Sequence, residues 1–337
     1  MKKIINTTNE IIPEMIEGFL AAYGNDFKKV NSVNGLIKKE LKNKVSLLIG
    51  GGSGHEPMFM GFIGEGLADG AAIGNVFAAP TPDLILETTR ELDQGHGVLY
   101  VYGNYSGDIL NFDMAAELAE LDGIETRTVL VCDDVASAPA DKKQNRRGIA
   151  GDVFVIKIAG AAVNSGLSLD ETAGIAQKAS DSTFSVGVAL SPGTIPGLEK
   201  PTFNIPEDKI EFGMGIHGEP GIEQTPMMTA NELTDKMLDY LLNESPIDRG
   251  DEVAVLVNGL GSTTLLELFI VNKRIKEVLE QRNIHIYDLV VNNYCTAQEM
   301  GGFSITLLKL DSELKPYYDA PALSPYYNKL NETRRSK

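Results

Sequence analysis

The sequence predicts an α/β protein with two domains, each built on a mainly parallel or mixed β-sheet flanked by helices. Short apolar runs such as Val45–Ile49 and Val253–Val257 end in glycine-rich loops and alternate with helical stretches. This alternation is typical of sheets whose strands are joined by helices. The chain has 337 residues, which is enough for two domains of ordinary size. We therefore expect an N-terminal domain over residues 1–183, a C-terminal domain over 184–330 and a polar tail over 331–337.

Hydrophobic periodicity places the individual elements along the chain. The predicted helices cover residues 10–23, 83–92, 111–121, 152–164, 168–180 and 265–281, with a weaker candidate at 59–66. Asn111 is expected to cap the helix that it begins. The predicted strands cover residues 45–49, 97–101, 128–132, 184–190, 253–257, 284–291 and 303–310. The polar segment 136–151 is predicted to be a surface loop.

The composition excludes several classes of function. A formal net charge of −17 and a pI near 4.7 argue against direct nucleic-acid binding, which needs a basic surface. Cys132 and Cys295 are too few for a disulfide framework and match no zinc-site spacing. No apolar run approaches the roughly 18 residues of a membrane span, and we expect no signal peptide. The sequence therefore predicts a soluble cytoplasmic protein that binds no metal.

The most informative segment is the glycine-rich loop Gly50–Glu56, which follows the first predicted strand. Four of its first five residues are glycine, so the backbone can turn sharply and present its N–H groups to a small ligand. We expect Gly52, Ser53 and Gly54 to form this cradle. The loop matches neither a nucleotide P-loop nor a dinucleotide fingerprint, so no cofactor is predicted. The alternative is a tight strand-to-helix turn that binds no ligand.

Two of the four histidines lie in similar glycine-rich contexts. His55 and His217 are each followed within three residues by Glu and Pro. Such an imidazole can donate, accept or shuttle a proton, and as a nucleophile it can add to a ketone to leave a tetrahedral hemiaminal. We interpret the two as parts of one small-molecule site built from distant loops, with an ordinary turn histidine as the alternative for His217. His96 and His285 lack this context and are interpreted as ordinary surface or strand-edge residues.

A carboxylate is expected at the same site. Asp108 follows a predicted strand, and ligands of open α/β sheets bind outside the carboxyl ends of strands. It could accept the proton of a substrate hydroxyl, or it could simply be a favourable charge at a helix N-terminus. Asp133, Asp134, Arg146 and Arg147 are interpreted as internally paired charges.

Seven motifs occur in order along the chain: residues 50–57 (GGGSGHEP), 80–83 (PTPD), 104–108 (NYSGD), 146–148 (RRG), 213–221 (GMGIHGEPG), 258–261 (NGLG) and 302–306 (GFSIT). With these motifs, nearly the whole chain resembles the dihydroxyacetone-binding K subunit of the dihydroxyacetone kinase family. The resemblance implies a homodimer that acts on dihydroxyacetone in glycerol metabolism. It also implies that His217 is the histidine that traps the ketone as a hemiaminal, that His55 is the second active-site histidine, and that Asp108 activates the terminal hydroxyl.

The chain departs from the kinase pattern at one position beside this site. Kinase subunits of the family usually have Lys in the motif Lys-Asn-Tyr-Thr-Gly-Asp, whereas this chain has Gly103, with Ser106 in place of Thr. A lysine there would face the negative charge that develops during phosphoryl transfer. The run Phe77–Pro80 is also less hydroxylic than is usual in the kinases.

These departures favour the family's non-phosphorylating paralogue, a ligand-sensing co-activator that works with a DNA-binding transcription regulator. The acidic charge suits a protein that leaves DNA contact to its partner. The alternative is a kinase subunit that receives phosphate through a separate nucleotide-bearing subunit. Both interpretations require a partner protein, because the chain has no nucleotide-binding motif.

Overall fold

The fold is described from a computed structural model, and the structure describes residues 2–31 and 33–330. The predicted tail, 331–337, lies outside this part of the chain. The helices are α1 Ile11–Tyr23, α2 Pro82–Leu92, α3 Ser106–Leu121, α4 Asp152–Val163, α5 Leu169–Asp181, α6 Ala230–Asn243, α7 Leu265–Gln281 and α8 Leu314–Asp319. The strands are β1 Phe27–Lys29, β2 Gly35–Lys38, β3 Ser46–Ser53, β4 Gly70–Val76, β5 Val98–Gly103, β6 Thr126–Val131, β7 Thr183–Ser191, β8 Lys209–Phe212, β9 Glu223–Pro226, β10 Glu252–Gly259, β11 His285–Asn292, β12 Gly301–Leu310, β13 Ala322–Leu323 and β14 Asn328–Lys329.

The first large sheet has the strand order β1-β2-β4-β3-β5-β6. Strands β4, β3, β5 and β6 are parallel, whereas β1 and β2 are antiparallel to their neighbours. Every residue of β3 and β5 is buried, as expected for central strands covered on both faces. The carboxyl ends of β3, β5 and β6 consequently lie at one edge of the sheet, and the loops that follow them can form a common site.

The second large sheet has the strand order β11-β10-β12-β7-β8-β9 and is mostly antiparallel. Only β10 and β11 are parallel, while β12 runs antiparallel between β10 and β7. The short strands β8 and β9 extend the sheet beyond β7. The loop between β8 and β9 and the loop between β11 and β12 both matter for the site described below.

Helix α4 is the central element between the sheets. All of its residues are buried, and one hydrophobic cluster joins it to β3, β5 and β6 of the first sheet and to β7, β10 and β12 of the second. Apart from Asp152 and Lys157, its residues are apolar on every side, and such a helix belongs inside a core rather than at its surface. The two sheets therefore share a continuous core, which holds the loops at their edges in fixed relative positions.

The predicted α/β fold, with two sheets flanked by helices, is confirmed. Helices α4, α5 and α7 begin within one residue of their predicted starts. The division into domains at residue 184 stays a prediction. No helix among residues 2–31 and 33–330 has both the length and the apolar character needed to cross a membrane.

Two helix predictions are wrong. Helix α3 begins at Ser106 rather than at Asn111, so Asn111 is not a cap; its side-chain amide instead donates to the Pro80 carbonyl oxygen at 2.8 Å. The first turn of α3 was predicted to be a loop because its residues are mostly polar. The weaker candidate at 59–66 contains only a short 3₁₀ turn at Met60–Phe62.

Several elements were missed: β1, β2, β4, β8, β9, β13, β14, α6 and α8. Most of these strands are short, and β4 is rich in glycine and alanine, so they have little of the apolar pattern on which strand prediction depends. Helix α6 did have a detectable signal, since Thr229 and Glu232 form a capping box at its start.

Two helical glycines provide a matched test of the packing around α4. A Cβ atom at Gly160 would lie 2.4 Å from the Leu67 Cα atom, whereas a Cβ atom at Gly174 on α5 would have nothing within 4 Å. We expect Gly160→Ala to lower the free energy of unfolding by ~1–3 kcal/mol through overpacking. Gly174→Ala should raise it by ~0.5–1 kcal/mol. Denaturant unfolding measures both changes, and equal effects would contradict the close contact between α4 and the Leu67 backbone.

Candidate ligand-binding site

The glycine-rich loop places His55 just beyond the carboxyl end of β3. Gly51 and Gly54 have φ angles of 159° and 100°, and the value at Gly54 is one that side-chain-bearing residues rarely adopt. A Cβ atom at Gly51 would lie 2.4 Å from the ring of Phe59, and one at Gly54 would lie 2.6 Å from the ring of Phe77. The glycines are needed because aromatic rings approach this backbone closely.

The ring of His55 is held at both nitrogen atoms. Its Nδ1 lies 2.7 Å from the carbonyl oxygen of Thr296, and its Nε2 lies 3.0 Å from Nε2 of His217. Only 2% of His55 is exposed, and the loop between β11 and β12 also bonds to its backbone through the Thr296 N–H. The structure therefore brings the two predicted histidines into direct contact. The contact with Thr296 was not predicted. Every residue has a backbone carbonyl oxygen, so the sequence does not show which one accepts a hydrogen bond.

His217 lies on the loop between β8 and β9, and Glu219 fixes its orientation. One carboxylate oxygen of Glu219 lies 2.9 Å from His217 Nδ1, and the other accepts the His217 backbone N–H at 2.9 Å. The Gly215 N–H donates to the Glu219 carbonyl oxygen, which closes the loop. A Cβ atom at Gly215 would lie 2.2 Å from the Glu219 carboxylate. No role was assigned to Glu219 from the sequence, although Glu-Pro after both histidines was an available signal.

Arg147 stabilises this loop through a hydrogen bond to its backbone. Its guanidinium contacts Asp134 at 2.8 Å and donates to the Gly213 carbonyl oxygen at 3.1 Å. The expected internal pairing of Arg147 with Asp134 is thus present. Arg146, however, pairs at 3.0 Å with Glu244 rather than with either of the predicted aspartates.

Two aromatic rings enclose the histidine pair. Phe77, which has a φ angle of 53°, stacks on His55 with ring centroids 5.1 Å apart and meets the edge of His217 at 5.3 Å. Tyr105 packs against His217 at 4.7 Å. Neither ring was predicted to be part of the site. The two rings therefore pack against the histidine pair and help to fix the orientation of His217.

Asp108 lies in the first turn of α3, so both sequence interpretations of this residue are compatible with its position. It is 9% exposed, and its Oδ1 atom has no hydrogen-bond partner among the described residues. Burial raises the pKa of Asp108 to about 6, an effect that the nearby His217 partly opposes. A carboxyl group with such a pKa can exchange a proton with a hydroxyl-bearing ligand near neutral pH.

The predicted backbone cradle has internal partners in this structure. The Gly54 N–H donates to both carboxylate oxygens of Glu56, at 3.1 and 3.0 Å. The Ser53 hydroxyl donates to the Gly74 carbonyl oxygen at 2.7 Å. Ligand binding by Gly52, Ser53 and Gly54 stays a prediction, and at Gly54 it would require the Glu56 carboxylate to move.

Gly103, at the end of β5, lies beside the buried carboxyl group of Asp152. A Cβ atom there would lie 3.5 Å from Asp152 Oδ2 and 3.4 Å from the Tyr105 ring, which are ordinary contact distances. Asp152 is 3% exposed, and its Oδ1 atom has no partner in the described part of the chain. Burial, together with the charges of Asp133 and Asp108, raises the pKa of Asp152 well above its usual range. A Cβ atom therefore fits at position 103, and among the described residues the charges that act most on Asp152 are those of the carboxyl groups Asp133 and Asp108.

The charges around the histidine pair differ sharply between its two ends. Burial, and secondarily the proximity of His217, lowers the pKa of His55 to about 3. Burial opposes ionisation of Glu219, but its hydrogen bond with His217 and the charges of His217 and Arg147 lower its pKa to about 2. Glu219 is therefore an ionised carboxylate beside the pair at neutral pH. Within residues 2–31 and 33–330, no group of three or more side chains could hold a metal ion.

Together these residues can hold a small carbonyl compound. His217 presents a nucleophilic nitrogen, His55 lies within proton-transfer distance of it, and Asp108 lies within electrostatic reach. Such a set of groups is suited to reversible addition to a ketone or aldehyde.

The family model for the Dak1 domain matches residues 17–326 of this chain. The chain belongs to the Dak1 domain family. It is 43% identical over 331 residues to PTS-dependent dihydroxyacetone kinase 2, dihydroxyacetone-binding subunit DhaK, of Listeria innocua. That match covers 97% of this chain and 99% of the Listeria protein.

Two solved structures share the fold of this chain over nearly its whole length. The native crystal structure of the dihydroxyacetone kinase of C. freundii superposes with a TM-score of 0.91 at 31% identity, covering 100% of this chain and 62% of that chain. The dihydroxyacetone kinase operon co-activator Dha-DhaQ superposes with a TM-score of 0.87 at 29% identity, covering 94% of this chain and 98% of that chain. The predicted family is confirmed. A kinase and a co-activator both have this fold, so the backbone alone does not separate the two roles.

The unpartnered burial of Asp108 leads to a pH-dependent prediction. Because its pKa rises from 3.8 to about 6 on folding, the folded state holds this proton more tightly, and the carboxyl group increasingly destabilises the protein as the pH rises through that interval. We expect Asp108→Asn to raise the free energy of unfolding by up to ~3 kcal/mol at pH ~8, with no gain below pH ~4. Denaturant unfolding across this range measures the difference. Asp113→Asn, at an exposed position of the same helix, should show no such trend, and a flat profile for Asp108→Asn would contradict the prediction.

Proposed function

We propose that this protein binds dihydroxyacetone and captures its ketone carbon as a hemiaminal on Nε2 of His217. The observation that carries the proposal is the 3.0 Å contact between His55 and His217, which are 162 residues apart in the sequence. The Glu219 carboxylate on Nδ1 orients the ring and stabilises the positive charge that a substituted imidazole acquires. Relatives named as dihydroxyacetone-binding subunits support the choice of ligand.

Covalent capture also provides selectivity. Glycerol has no carbonyl group, so His217 cannot bond to it, whereas hydrogen bonds alone discriminate poorly between short polyols. A site that depends on a bond to one functional group rejects analogues that lack it. Asp108 is proposed to bind a terminal hydroxyl of the captured triose.

We further propose that the protein is a ligand-sensing co-activator rather than a kinase subunit. Gly103 puts no positive charge beside Asp152, which is buried and has an Oδ1 atom without a partner in the described part of the chain. Phosphoryl transfer needs positive groups around the transferred phosphate, and Gly103 supplies none. The partner would be a DNA-binding regulator, and ligand capture would favour the conformation that binds it.

The kinase-subunit role is the second candidate. Its support is the 43% identity to a PTS-dependent kinase subunit over nearly the whole length of both chains. In that role Asp108 would accept the proton of the hydroxyl that is phosphorylated, and a separate subunit would bring the nucleotide. A cytoplasmic homodimer acting in glycerol metabolism is proposed for either role.

Replacement of His217 tests the capture. In crystals of the wild-type protein soaked with dihydroxyacetone, we expect continuous density between the triose and His217 Nε2. His217→Ala should show none, and its affinity for dihydroxyacetone, measured by calorimetry, should fall at least ~10²-fold because a covalent bond is lost. His96→Ala, which removes an exposed histidine that contacts Asn43, is the control. Density for the triose clear of the ring in the wild-type protein would overturn the proposed capture.

Restoring a lysine tests the role of Gly103. The wild-type protein, combined with the nucleotide-bearing and phosphocarrier subunits of a related kinase, should phosphorylate dihydroxyacetone only at a trace rate. Gly103→Lys should increase phosphorylation by ~10²-fold, the usual effect of one positioned charge-stabilising group. Gly18→Lys adds the same charge at an exposed position of α1 with open space around it and should have no effect. Wild-type turnover of ~1–100 s⁻¹, typical of kinases, would favour the second candidate.

A further inference from the structure

The two Nδ1 atoms of the histidine pair are both hydrogen-bond donors. His55 Nδ1 faces a backbone carbonyl oxygen at 2.7 Å, and such an oxygen can only accept. His217 Nδ1 faces the Glu219 carboxylate at 2.9 Å, and the low pKa of Glu219, about 2, keeps that group ionised at neutral pH. Each ring must therefore have its hydrogen on Nδ1.

If both rings were neutral, this arrangement would leave no hydrogen atom between their Nε2 atoms. A neutral imidazole has one N–H, so two neutral rings with Nδ1 hydrogens would present two lone pairs across the 3.0 Å between the Nε2 atoms. Two acceptors at that distance repel each other and form no hydrogen bond. One additional proton converts the same contact into a charge-assisted hydrogen bond.

We propose that the ligand-free His55–His217 pair holds one proton between its Nε2 atoms, and that Glu219 is the positioning residue that keeps it there. The consequence for ligand capture rests on the proposed function, but the protonation of the free pair does not. The proton belongs mainly to His217, which lies against Glu219 and is partly exposed, with 24% of its side chain accessible. His55 is almost fully buried and faces no carboxylate directly.

The other charges around the pair are compatible with this assignment. Asp108 on α3 interacts electrostatically with His217 and adds negative potential. Arg147 is the opposing charge, but its guanidinium is bonded to Asp134. Phe77 and Tyr105, which cover the rings, have no charge at neutral pH.

Because the pair already holds a proton, the capture step needs no proton from the solvent. The proton moves to His55 Nε2, which frees the lone pair of His217 Nε2 to form a bond to the ketone carbon. The π electrons of the carbonyl move to its oxygen, which takes the proton from His55 and becomes a hydroxyl. The substituted His217 ring keeps its Nδ1 hydrogen and a positive charge opposite Glu219. The net charge of the site is the same before and after capture.

Nitrogen NMR of the ligand-free protein with ¹⁵N-labelled histidine tests the inference directly. His96→Asn and His285→Asn variants, which remove the two other histidines, assign the pair. At pH ~7 we expect both nitrogen atoms of His217 to show imidazolium shifts and to be coupled to a strongly deshielded shared proton. His55 should show one protonated and one unprotonated nitrogen atom.

Glu219→Gln should abolish the imidazolium signature at pH ~7 and weaken dihydroxyacetone binding at least ~10-fold, because one adjacent carboxylate changes protonation equilibria by that amount or more. Glu219→Asp keeps the charge and should retain the signature, which separates a charge effect from a loop that no longer folds. Glu223→Gln removes a carboxylate paired with Lys236 and is the matched control.

Two results would overturn the inference: shifts of two neutral rings in the wild-type protein at pH ~7, or an unchanged imidazolium signature in Glu219→Gln. The signature together with no triose bond to His217 would support the held proton and refute the proposed capture instead.

Discussion

The site depends on one contact, the approach of two imidazole rings from opposite sheets to 3.0 Å. Neither loop could hold its histidine there alone. The shared core around α4 sets the distance between the sheets, and glycines with positive φ angles let the two loops bend toward each other. An error of an ångström between the sheets would separate the rings, so the rigidity of the core and the chemistry of the site are linked.

Burial gives each polar group at the site a different protonation preference. His55 is deeply buried and resists a charge, whereas Glu219 has enough hydrogen bonds to remain ionised. Asp108 and Asp152 lack full partners, and burial raises their pKa values. Asp152, beside Gly103, therefore holds its proton more tightly than an ordinary aspartate, and Gly103 adds no positive charge there.

Sequence patterns predicted the elements that have strong hydrophobic periodicity, including the buried helix α4 and the strand β3. They misplaced the start of α3, whose first turn is polar and contains the site residue Asp108. They also missed the short edge strands and β4, because little apolar pattern distinguishes these from loops. Local polar sequence is thus least informative where the chain approaches the ligand, since residues there are selected for contacts rather than for periodicity.

By itself, the sequence determined the family, the two histidine loops, Asp108 and the absence of a lysine at position 103, because these are residue types in recognisable motifs. Only the tertiary structure showed that His55 contacts His217 and that Phe77 and Tyr105 enclose the pair. The same is true of the partners at each Nδ1 atom, the Thr296 carbonyl oxygen and the Glu219 carboxylate. Protonation depends on distances and burial in three dimensions, and those arise only when the two sheets pack around their common core.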